Sequence, residues 1–260
     1  MVREPKMKSI ESLKNCRNLD EITIEGGSID NFDLKERDMK KVIIKDCKIN
    51  SFKLNIEQTV FGKMANLDYL HLINCGLSKI ENLSDYDANI SSLYIDDNSF
   101  KTFDLDRLRA LKIFSCKNNG MEELNIENSN LIVLKKIDCS INNLKKLNIP
   151  FLNALEEFNC SSNQLSELKF DSEFGYPNLQ KLDCSKNQLN QLNTESCKAL
   201  TELNCSNNQL SALGITYNKN LQYLNCSNNK INTLMVYFNT KLKELDCSNN
   251  GMQDLSLIHI

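Results

Sequence analysis

A repeat solenoid, rich in β-structure and with little helix, is the fold class this 260-residue sequence predicts. Three observations predict it. One segment recurs about every 21 residues from Leu19 to the end. Apolar residues alternate at the start of each segment, as they do on one face of a short strand. Asn makes up 37 of the 260 residues and falls at a fixed place in the segment. One such unit cannot bury its apolar face alone, so neighbouring units stack on a shared core.

Eleven units start at Leu19, Met39, Leu67, Ile90, Leu111, Leu134, Leu155, Leu179, Leu200, Leu221 and Leu242, spaced 20, 28, 23, 21, 23, 21, 24, 21, 21 and 21 residues apart. The last five show the pattern most clearly: LEEFNCSSNQLSEL (155–168), LQKLDCSKNQLNQL (179–192), LTELNCSNNQLSAL (200–213), LQYLNCSNNKINTL (221–234) and LKELDCSNNGMQDL (242–255). The consensus of the units is L-x-x-L-x-[LIC]-x-x-[NC]-x-[LIMF]-x-x-[LIF]. Position nine is Asn98, Asn119, Asn142, Asn163, Asn187, Asn208, Asn229 and Asn250 in eight units, and Gly27, Cys47 and Cys75 in the first three. A buried amide needs partners. Stacked Asn side chains are therefore expected to bond the open backbone of neighbouring turns, as a structural ladder.

Half-way through many units the motif begins again, as in MEELNIEN (121–128) and LSALGITYN (210–218). The remaining half is too short for an ordinary helix of roughly 8–20 residues. Extended structure is expected on both sides of the coil. The long coil from 39 to 67 leaves room for a helical turn in EQTVFGKMANLDYL. Over residues 19–260 the sequence resembles the leucine-rich repeat family, in particular the short nested repeats of some bacterial members. That resemblance implies a right-handed superhelix with a parallel sheet on its concave face. It also implies protein binding by a rigid face. Residues 1–18 carry Ile10, Leu13 and Cys16 at i, i+3 and i+6, which predicts a short helix capping the first coil; residues 19–260 form one domain of eleven repeats. The apolar residues at the other end, Met252, Leu255, Leu257 and Ile260, suggest a bare face for self-association.

Composition narrows the function. With 31 basic and 34 acidic residues, the chain has no excess positive charge for a nucleic-acid groove. No apolar run approaches the ~20 residues of a membrane span. The N-terminus lacks a secretory apolar core, and eleven Cys without a C-x-x-C pair do not read as a disulfide scaffold. The expected compartment is cytoplasmic, with export by another route left open. Cys116, Cys139, Cys160, Cys184, Cys205, Cys226 and Cys247 occupy inward position six and read as a stacked core row rather than a metal site. Cys16 and Cys197 lie outside the repeat slots and are expected to be the exposed thiols. His71 and His259 are the only histidines, and no G-x-S-x-G or H-E-x-x-H occurs. Neither catalysis nor a metal or other cofactor is expected.

The free surface is the outward face of the first strands. From the fifth unit onward it is short, polar and repetitive. Between the second and fifth units it carries Ile43, Tyr69, His71, Tyr94 and Ile113, the composition of a protein-binding hot spot. Two readings stay open for that cluster: a footprint for a partner, or drifted early units whose side chains cover one another. Tyr217, Tyr237 and Phe238 fall in second half-units and are expected to pack on the back or in turns. The sequence thus predicts a non-catalytic protein-binding module. A structural or adhesive spacer, one segment of a longer array that self-associates through its uncapped C-terminal end, is the alternative.

Overall fold

The computed structural model describes residues 6–16, 18–34, 39–54, 67–83, 89–105, 108–126, 131–170 and 175–252. Eleven parallel strands, one per unit, form a single front sheet in sequence order. It begins with Glu21–Glu25, Lys41–Lys45 and Tyr69–Ile73, and the later strands shorten to three residues, from Ser92–Tyr94 to Glu244–Asp246. Every strand starts at position three of its unit and pairs without slip. Glu21 lies opposite Lys41, Lys41 opposite Tyr69, and so on to Tyr223 opposite Glu244. The alternation sets that register, because a slip of one residue would turn every inward Leu outward.

The core lies between the front sheet and the return half of each coil. In the inner units, positions one, four, six and eleven are almost fully buried. Leu155, Phe158, Cys160 and Leu165 show this in the seventh unit. Each such side chain contributes about 1.5–3 kcal/mol when withdrawn from water. At the first and last coils the inward residues Ile22, Ile24, Leu242, Leu245 and Cys247 are only half-buried, because each has a neighbouring coil on one side.

Extended structure also forms on the back, in pieces. The strands Ser28–Asp33 and Lys48–Lys53 pair, as do Thr102–Asp104 with Glu123–Asn125 and Asn148–Ile149 with Lys169–Phe170. All three pairs join units 20 or 21 residues apart. From Leu179 onward, where coils are 21 residues long, pairing on the back among the described residues is the isolated bridge of Asn193 with Gly214.

Two turns were not foreseen. Position eight is left-handed in all eleven units: Gly26, Asp46, Asn74, Asp97, Asn118, Ile141, Ser162, Lys186, Asn207, Asn228 and Asn249 have φ from 51° to 75°. Asn, Asp and Gly tolerate that conformation, which reverses the chain between the front strand and the ladder. At the N-terminus the spacing of Ile10, Leu13 and Cys16 predicts a helix. A short 3-10 helix stands there at Glu11–Asn15, and before it Lys6–Ser9 is a strand, not foreseen, that pairs in parallel with Ser28–Asp33. The unpaired edge of the first back strand accepts a strand more readily than so short a segment sustains an α-helix. Ile10 is buried and Cys16 exposed. The helical turn expected within 57–66 and the bare end expected at 255–260 lie outside the described residues.

Candidate binding face

Position nine carries the scaffold of the face. Asn163 Nδ2 donates to the carbonyl oxygens of Cys139 in the preceding unit (3.0 Å) and of Cys160 in its own (3.1 Å). Its Oδ1 accepts from Leu144 N at 3.0 Å. Asn98, Asn119, Asn142, Asn187, Asn208, Asn229 and Asn250 repeat this bridging of consecutive coils. Cys75 takes part with its thiol, which donates to the Ile44 carbonyl at 3.4 Å, while its N–H bonds Asn98 Oδ1 at 3.0 Å. Behind this ladder the position-six cysteines from Cys116 to Cys226 are fully buried, and burial pushes their thiols up, Cys226 to about 12. They are inert core groups. Cys197, expected at the surface, is buried too, and burial raises its thiol to about 11. It faces inward in the return turn, where Asn218 Nδ2 bonds its carbonyl at 2.9 Å.

The in-register strands bring the five candidate residues together. Ile43 lies directly opposite His71, and His71 opposite Tyr94. The His71 and Tyr94 rings are 4.3 Å apart, and Tyr69 meets His71 edge-on at 6.2 Å. Ile113 pairs with Ser92, one step along the same sheet. Tyr69 is 42% exposed, and Ile43, His71, Tyr94 and Ile113 are half-buried. His71 Nε2 is 3.0 Å from Ser92 Oγ. Burial lowers its pKa, and nearby Lys45 and Lys41 lower it further. At neutral pH the patch is therefore an uncharged aromatic and aliphatic surface.

Beyond it the face becomes a long concavity of about 850 Å³ running from Tyr94 to Asp246. Six carboxylates, Asp138, Glu157, Asp183, Glu202, Glu244 and Asp246, line it against two lysines, Lys136 and Lys181. Both lysines are held by the next rung: Lys136 by Glu157 at 2.9 Å and Lys181 by Glu202 at 2.8 Å. Position five is a second polar column. Asp183 Oδ1 accepts from Ser185 N (2.9 Å) and Oγ (2.6 Å), and its other oxygen accepts from Asn204 Nδ2 at 3.1 Å. The same Ser bonds at Asp246 hold that carboxyl below the usual range. Where the column gives way to Ser115, the Asp96 carboxylate takes over, accepting from Ser115 Oγ (2.6 Å) and Lys117 N (2.8 Å). Burial raises its pKa against those bonds. Reading the sequence for hot spots passed over this column; its signal is the recurrent [DN]-C-S, in which Ser always follows two places after the Asp or Asn.

The arrangement offers hydrogen-bonding columns and apolar contact on a rigid sheet. Among the described residues, no group of three or more His, Cys, Asp or Glu is placed to hold a metal, and no helix is long and apolar enough to cross a membrane.

No protein-family model matches the chain, and no curated protein does. Solved structures do. The functional domain of InlJ from Listeria monocytogenes, described as including a cysteine ladder, superimposes with a TM-score of 0.78 at 20% identity, over 97% of this chain and 53% of that one. A leucine-rich repeat protein of Leptospira interrogans matches 92% of this chain and 80% of its own (TM-score 0.58, 21% identity). YopM, a leucine-rich effector of Yersinia pestis, matches 85% and 64% (TM-score 0.60, 25% identity). The chain thus spans about half of the InlJ domain. With its parallel coils of about 21 residues and its Asn and Cys columns, this chain has the leucine-rich repeat fold.

Proposed function

We propose that the chain is a non-catalytic protein-binding module that holds a protein partner against its front face. Ile43, Tyr69, His71, Tyr94 and Ile113 are the anchor, and the polar concavity beyond is the accompanying surface. The observation that carries this reading is the continuous Tyr69–His71–Tyr94 run, displayed on a sheet whose register and turns are fixed from behind. Aromatic side chains with few free rotors lose little entropy on contact, which makes them effective anchors. The rigid coil adds little ordering cost of its own. Binding rests on shape and side-chain complementarity, with no bond made or broken.

The test is capture from a lysate of the source organism by the native chain and by a Tyr69→Ala, Tyr94→Ala variant. A protein retained by the native chain and lost by the variant, with unchanged circular dichroism, supports the reading. Equal retention by both would remove the anchor from this patch.

A further inference from the structure

Tyr217, Tyr237 and Phe238, expected to pack on the back or in turns, are 54%, 63% and 46% exposed, and Met235 beside them is 61% exposed. They stand on one lateral edge of the solenoid, separate from the front face. Three consecutive return turns make that edge: residues 193–199, 214–220 and 235–241. The same turns carry Lys198, Lys219 and Lys241, all exposed, against one carboxylate, Glu195. This is a basic strip on a chain whose net charge is −3. Lys198 and Lys219 share one repeat position, so they follow each other at the coil spacing of about 4.8 Å.

The base under the strip is firm. Asn218 Nδ2 bonds the carbonyls of Thr194 (3.1 Å) and Cys197 (2.9 Å), and Asn239 Nδ2 bonds those of Ile215 (3.0 Å) and Asn218 (2.9 Å). Both Asn side chains are buried. The turns are therefore clamped to one another while their aromatic neighbours point outward. Tyr237 and Phe238 pack edge-to-face on each other, 5.1 Å between centroids.

We propose that this edge docks on an anionic lipid bilayer. Tyr217, Met235, Tyr237 and Phe238 enter the boundary between headgroups and acyl chains, and Lys198, Lys219 and Lys241 meet the phosphates. The composition favours lipid over protein. Tyr, Phe and Met are common at protein interfaces, but Lys is depleted there. Aromatic residues ringed by Lys are the composition of a bilayer interface. Charge complementarity favours this edge, which sets three exposed lysines against one carboxylate on a chain whose net charge is −3.

Co-sedimentation with vesicles tests it, using the whole 260-residue chain. One set is phosphatidylcholine alone; the other contains roughly one part phosphatidylserine in four, enough to give the surface a negative potential. The native chain is expected to pellet with the anionic vesicles and at least about tenfold less with the neutral ones. A Tyr237→Ser, Phe238→Ser variant is expected to lose binding by about tenfold or more with its thermal midpoint unchanged. A Lys219→Gln, Lys241→Gln variant is expected to lose about fivefold per lysine. Failure of the native chain to pellet with anionic vesicles overturns the proposal, as does equal pelleting of the aromatic variant. It is overturned too if the native chain alone, without lipid, gains mass with concentration and the aromatic variant does not; the edge would then serve a second copy. Lysate capture through Tyr69 and Tyr94 is read separately, so either conclusion can fail without the other.

Discussion

At position eight the fold requires a left-handed residue of every unit, and Ile141, Ser162 and Lys186 meet that requirement against their own preference. Ile141 is the sharpest case: a β-branched side chain at φ 55°, 44% exposed. Such a residue costs roughly 1–2 kcal/mol there, and Asn relieves much of it. Ile141→Asn is therefore expected to raise stability by about 1 kcal/mol in urea denaturation, although a large apolar side chain has been removed. His71 supplies a second test. Its folded pKa lies below the ordinary 6.5, so between the two values the unfolded chain binds more protons than the folded one. Stability is expected to fall as pH drops below 6.5 and to level off below the folded pKa; in His71→Gln that slope should vanish. At this scale the position-nine ladder was legible, because a buried Asn at a constant interval has few other uses. The left-handed position was hidden by Ile141, Ser162 and Lys186, which break the run of Asn, Asp and Gly. Cys197 and Tyr217 were misplaced for a different reason. Residues 15–21 of each coil vary in length and chemistry, so periodicity does not say which side chain turns inward.

The eleven front strands could be placed from alternation alone, since each needs only three paired residues and the register follows from burial. Extended structure on the back was legible as well, but not which coils pair there, nor the strand Lys6–Ser9. The strand Lys6–Ser9 depends on the open edge of Ser28–Asp33, which is not a property of the segment itself. The position-six row is an element of its own, a column of thiols running across the strands. Cys47, Cys75, Cys116, Cys139, Cys160, Cys184, Cys197, Cys205 and Cys226 are buried, Cys247 is half-buried and Cys16 is exposed. A thiol reacts as its thiolate, which burial disfavours. Mild alkylation of the native chain followed by mass spectrometry is expected to modify Cys16 first and Cys247 more slowly. The other nine should react only in denaturant. Rapid labelling of Cys160 would show that the column opens.

Across the whole molecule, identical register makes each repeat position a straight column, so the chemistry of the faces is set column by column. The front face changes from aromatic to carboxylate and amide along its length, and one edge changes from polar to aromatic and basic. A reading of composition averages these differences away; only the coil frame separates them. The same frame governs how the protein yields to force. Each coil is bonded to its two neighbours and to little else, and the outermost described coils, with half-buried Ile22 and Leu245, are packed less fully on the front sheet. Under tension along the stack, coils detach singly, the less fully packed outer ones first. Each release pays out one coil of 20 to 28 residues, about 70–100 Å of extended chain at ~3.3–3.6 Å per residue. The solenoid then lengthens in discrete steps, one coil at a time, while the coils still stacked keep their shape.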